Sequence, residues 1–310
     1  MKYIIIKIYF VLFSVFFLFF NTNSFSKETQ IKYSANSISN YFSGVVSSDQ
    51  GYTKKAFKYL NKVQALKKSH HNFNIHFVRT LILLERFDGA FAFAQSIWNE
   101  NEYFFEVDLL LGLNSFINKD YSTAEKHFKR LNNVKENNVF FGDFISNILL
   151  SWSKAAEKNK EISFKLVESI PKPYRNLKEI QNSFLQCYFD SEKTESSFKK
   201  LVADEEYNFS RYNFFLINYL LNKNKNLDAK KIVIESNKKH STNLLIKQTK
   251  IFFLNNKTEE IKKTFNCKYL EDNLAEFFYI IANIYSGQND FQLSNFYLKI
   301  SLFLNQKFLT

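Results

Sequence analysis

The apolar pattern of this chain is punctuated at a fixed interval by small residues. Ala56, Ala90 and Ala124 are evenly spaced, and Gly44 precedes Ala56 by the same distance as Gly112 precedes Ala124. An aromatic (Tyr52, Phe87, Tyr121) precedes each alanine by three or four positions. Leu60, Ala94 and Phe128 follow at +4, and Val63, Ile97 and Leu131 at +7. Positions i, i+4 and i+7 share one face of a helix. An interval of roughly 34 residues has room for two helices and a turn. Small residues belong where two helices cross closely. The pattern therefore predicts an all-α array of antiparallel helix pairs.

The period continues with drift. Ser163 takes the alanine position a few residues later than a strict repeat would put it, and Pro171-Lys172-Pro173 closes that unit. Thr194-x3-Phe198-x2-Leu201 repeats the spacing of Ala124-x3-Phe128-x2-Leu131, and Ala229 follows Thr194 by close to one more period. A degenerate unit covers about 242–267, and the last contains Ile281-Ala282-x2-Tyr285 and Asp290-Phe291-x2-Ser294-x3-Leu298. We expect about seven helix pairs, with repeats 1–4 in 37–170 and degenerate repeats 5–7 in 171–310.

The third unit, with Leu111-Gly112, Asp120-Tyr121 and Ala124-x3-Phe128-x2-Leu131, resembles the tetratricopeptide repeat (TPR) family. That resemblance implies a right-handed superhelical α-solenoid. It gives Gly44, Ala56, Ala90, Gly112, Tyr121, Ala124, Phe128, Phe198 and Ala229 the role of packing the repeats. The Trp and the terminal Pro of the family pattern are missing from every unit. The segment Ser39-Asn40-Tyr41-Phe42-Ser43-Gly44 also resembles the entry to the repeats in a group of exported bacterial TPR proteins of unassigned activity. The apolar helix expected at Phe296–Leu304 ends the chain without a polar cap, so it either docks on something or precedes missing sequence.

Residues 1–26 read as a signal peptide or, if uncleaved, a membrane anchor, with 27–36 as a linker. Lys2 and Lys7 flank the start of an uncharged apolar run, Ile8–Phe20, and Ser24 and Ser26 stand at −3 and −1 before Lys27. The rest of the chain would be exported, and would be periplasmic or anchored to the inner membrane facing the periplasm. Cys187 and Cys267 fall about two helix pairs apart in this parse, at ~10 Å per helix layer, too far to bridge. Two free or buried thiols are therefore expected.

Gly (6) and Pro (2) are too scarce for a turn-rich β fold. The net charge of +12 comes from lysines that read as scattered along the chain, with only five arginines among 42 basic residues. That balance argues against a nucleic-acid partner. No H-E-x-x-H, G-x-S-x-G, G-x-x-x-x-G-K or C-x-x-C occurs. His70, His71 and His76 lack the four-residue spacing of a helical metal site. Adjacent carboxylates such as Glu205-Glu206 and Glu271-Asp272 do not share a helical face. No enzyme activity, metal or cofactor is expected.

The family resemblance places partner contacts on the first helix of each pair, at positions including Tyr41, Arg79, Phe116, Asn218 and Asn283. The expected function is a non-catalytic protein–protein interaction scaffold in the periplasm or cell envelope, binding a partner peptide or helix in its concave groove. The alternatives are a helical accessory part or fragment of a cell-envelope enzyme, and a membrane-anchored assembly subunit. Membrane contact is expected only through an uncleaved N-terminal segment.

Overall fold

The computed structural model describes residues 33–98, 104–133, 142–204, 206 and 208–307. The signal segment 1–26 and most of the linker 27–36 lie outside the described residues, as does Glu205. The chain divides into two units, Met1–Ile38 and Ser39–Thr310, and the contacts below belong to the second.

The described residues are all-helical. Sixteen α-helices follow one another as eight pairs: α1 (Ala35–Asp49) with α2 (Thr53–Leu60), α3 (His71–Leu83) with α4 (Phe87–Ile97), α5 (Phe105–Ile117) with α6 (Tyr121–Arg130), and α7 (Gly142–Ala156) with α8 (Lys160–Glu168). The series continues with α9 (Arg175–Tyr188) and α10 (Thr194–Val202), α11 (Tyr212–Asn222) and α12 (Asn226–Lys239), α13 (Leu244–Leu254) and α14 (Thr258–Thr264), and α15 (Leu270–Gly287) and α16 (Phe291–Leu304). Sequence spacing predicts seven pairs. The described residues hold eight, one for each unit the spacing marks, including the degenerate stretch 242–267. No described helix is long and apolar enough to cross a membrane.

Each pair turns in the same way. One residue per turn adopts positive φ: Gly51, Glu85, Lys119, Lys158, Asp190, Asn224, Asn256 and Asn289. Its N–H bonds the carbonyl three residues back, and the next N–H bonds the carbonyl five before it. In the third pair these bonds are Lys119 N to Phe116 O at 3.0 Å and Asp120 N to Ser115 O at 2.9 Å. This left-handed closure satisfies carbonyls that the helix end leaves open. In three pairs the side chain after the turn then caps the second helix. Asp120, Asn159 and Asp290 accept from the backbone N–H of Thr123, Ile162 and Leu293.

Within the pairs, Ala56, Ala90, Ala124 and Ala229 are fully buried. A Cβ on Gly112 would overlap the Phe128 ring, and one on Gly44 would fall 2.6 Å from the Leu60 side chain. Tyr121 lies edge-on against Phe116, and Phe128 and Phe198 are buried. Most helices pack on the next in sequence, but the last pair does not end the series this way. Helix α16 lies on α3, and α15 touches α7.

Candidate functional site

The C-terminal helix pair packs back on the start of the array. Helix α16 carries Phe303 to Phe87, where the rings stack with centroids 4.0 Å apart, and Lys299 to Glu85 in the second turn. Gln292 Nε2 donates to the Ser48 carbonyl at 2.7 Å. The apolar C-terminal helix therefore docks on the chain's own first two pairs. An open cleft of about 540 Å³ remains at this seam, lined by Glu85, Phe87, Asp88, Lys299, Leu302 and Phe303.

Helix α15 is held by a buried charge. Arg211, just before α11, donates to both carboxylate oxygens of Glu276 at 3.0–3.2 Å, and Tyr212 donates its hydroxyl to Oε1 at 3.2 Å. The guanidinium sits 3.9 Å from the Tyr279 ring centre. Burial alone would lower the Arg211 pKa, but the Glu276 carboxylate outweighs it and the net shift is upward. Burial in turn holds the Glu276 carboxyl above its ordinary value, against the pull of Arg211. Burial and this carboxylate push the Tyr212 phenol well up.

These contacts decide what the expected residues do. Phe116 is a core side chain. Asn218 is buried and donates to the carbonyls of Ile261 and Phe265, at 2.7 and 2.9 Å, closing the end of α14. Neither is open to a partner in this arrangement, which corrects their placement in an open groove. Arg79 Nε donates to Glu106 Oε1 at 2.8 Å. Burial opposes the charge on Arg79, but Glu106 outweighs it and the Arg79 pKa is raised. Tyr41 is half-buried with its ring 4.6 Å from His70. Asn283 is exposed and donates to the Tyr279 carbonyl one turn back. The structure does not bring the five together as one site.

The cysteines require a larger correction. Cys187 and Cys267 form a disulfide, with Cα atoms 5.9 Å apart across 80 residues of chain. A straight stack would hold them two layers apart. Instead the short helix α14 packs on α11, and the segment after it returns to the end of α9. Asn273 Nδ2 donates to Cys267 O at 2.9 Å, Asn305 Nδ2 to Thr264 O at 3.0 Å, and Lys268 Nζ to Tyr188 O at 3.0 Å. Asp272 accepts from Asn266 N–H at 2.6 Å. These asparagines pin the segment that presents Cys267, and nothing in the repeat pattern marks them.

A second buried cluster looks more like chemistry. Asp108 accepts from His127 Nδ1 at 2.8 Å, Trp98 Nε1 at 3.2 Å and Arg130 Nε at 3.0 Å. Asp108 and His127 are both buried, and the cluster ties α5 to α6 and to the end of α4. It neutralises charges at a helix crossing and presents no open face for a substrate. Among the described residues no three His, Cys, Asp or Glu side chains converge as a metal site. His70 caps α3 through Phe73 N–H, and His71 stacks on Phe104.

The lysines are not evenly scattered. Residues 226–257 hold seven lysines against Asp228 and Glu235, a net charge of +5 in a chain of net charge +12. A comparison with protein-family models finds no match to this chain, and a comparison with curated proteins finds none either.

Proposed function

We propose that this chain is an exported, non-catalytic scaffold of TPR-like repeats, wound as a right-handed superhelix whose inner face is filled by its own last helix pair. The observation that carries this reading is the succession of pairs closed by the same left-handed turn, from Gly51 to Asn289. An array built this way offers extended surface rather than a catalytic cleft. Export is supported by the signal-like segment 1–26 and by the Cys187–Cys267 disulfide, since such bonds persist in oxidising compartments.

A protein partner then meets the array at the positions left accessible, Tyr41 and Asn283. Photo-crosslinking residues placed at Tyr41, Asn283 and, as a control, the exposed Ile162 of α8 test this in intact envelopes. One or two discrete protein adducts at Tyr41 or Asn283, absent at Ile162, are expected. No protein adduct at either position would overturn the scaffold reading.

A further inference from the structure

The side of α12 facing solvent mixes aliphatic and basic residues. Leu227 is 85% exposed and Ile234 57% exposed, two helical turns apart. Lys230, Lys231 and Lys238 fall on the same side at +3, +4 and +11 from Leu227, all exposed. Helix α13, which packs on α12, repeats the arrangement. Leu244, Ile251 and Leu254 are exposed there, with Lys247 one turn after Leu244. Five of the large exposed apolar side chains among the described residues thus lie between positions 227 and 254, in a stretch of net positive charge.

We propose that this α12–α13 face docks on an anionic lipid bilayer. Two features select a bilayer over other anionic partners. Apolar side chains exposed beside lysines suit the boundary between headgroups and acyl chains, where the aliphatics bury and the ammonium groups meet anionic headgroups. A nucleic acid would use neither exposed leucines nor a surface without arginine, and residues 226–257 contain no arginine. The charges are available: Lys223 and Lys225, just before α12, are taken by Asp190 and Glu195, whereas Lys231 has only the exposed Glu235 at 4.0 Å. The exposed Phe42 and Val46 lie on α1, which has no lysine of its own, and serve as an internal control. This face is independent of the positions proposed for a protein partner.

The test is flotation of residues 27–310, which keep the unit Ser39–Thr310 intact. One set of vesicles is pure phosphatidylcholine, and the other carries phosphatidylglycerol as a substantial minority of its lipid. Binding at least tenfold tighter to the anionic vesicles and weakened by added salt is expected. Lys230→Glu/Lys238→Glu/Lys247→Glu and, separately, Leu227→Ser/Ile234→Ser/Leu254→Ser should each lose at least tenfold while retaining the native circular dichroism spectrum. Phe42→Ser/Val46→Ser should bind as the native chain does. Failure to bind anionic vesicles, or full binding by either α12–α13 variant, would overturn the proposal. So would heparin binding shared by the native chain and the serine variant without vesicle binding, which would make the surface a site for soluble polyanions.

Discussion

Glu276, in the middle of α15, is fully buried and receives both carboxylate bonds from Arg211, 65 residues earlier in the chain. This pair fixes the last helix pair to the sixth. Removing one partner of a buried ion pair strands the other charge, at a cost of about 3–5 kcal/mol. Glu276→Ala should lower the stability in urea by that amount. Arg211→Met/Glu276→Leu should recover most of the loss, because burying two apolar side chains leaves no charge to compensate. An unaltered urea midpoint for Glu276→Ala would show that α15 does not dock there.

The disulfide closes a loop of 80 residues. A cross-link of this reach restricts the unfolded chain and contributes about 2–4 kcal/mol. Cys187→Ser should lose this stability in thermal unfolding, and reductant should lower the Tm of the native chain but not that of the variant.

Lys119 holds positive φ in the third turn. A side chain there costs about 1–2 kcal/mol that glycine avoids, offset in part by the greater freedom of glycine in the unfolded chain. Lys119→Gly should therefore raise stability by about 0.5–1 kcal/mol, measured by chemical denaturation. The first turn already carries glycine at this position, as Gly51.

Burial raises the Asp272 carboxyl from its ordinary 3.8 to about 6, against the bond it accepts from Asn266 N–H. The raised value means that ionised Asp272 disfavours the folded state. The penalty is full above pH 6, shrinks as pH falls through 6, and vanishes below the ordinary value, where both states are protonated. Asp272→Asn keeps an acceptor for Asn266, so it should be more stable than the native chain by about 1–2 kcal/mol at pH 7.5 and equal to it near pH 3.5. A difference that does not change with pH would contradict the buried carboxylate.

The helix pairs were readable because close crossings admit only small residues. Gly112 faces the Phe128 ring and Ala124 is fully buried, so the regular interval survives in the sequence. The turns left a weaker signal, since Glu85, Lys119 and Lys158 occupy positions where glycine would have marked the left-handed residue. The path of the C-terminal pair left none. It depends on partners separated by hundreds of residues, as Phe303 stacks on Phe87 and Gln292 reaches Ser48. Asn218 matched the expected groove position, yet its amide is spent on the carbonyls of Ile261 and Phe265. The lysine stretch was countable in the sequence, but its exposed aliphatic companions were not, because burial in a helix pair depends on which neighbour covers it.

The proposed export and the return of the C-terminal segment onto the chain's own repeats both bear on one covalent bond. Non-reducing peptide mapping by mass spectrometry, on protein taken from cell envelopes with thiols blocked at lysis, tests both at once. The predicted result is a linked peptide pair joining Cys187 to Cys267. Recovery of the two as blocked free thiols would contradict the disulfide, and with it the export that the bond supports.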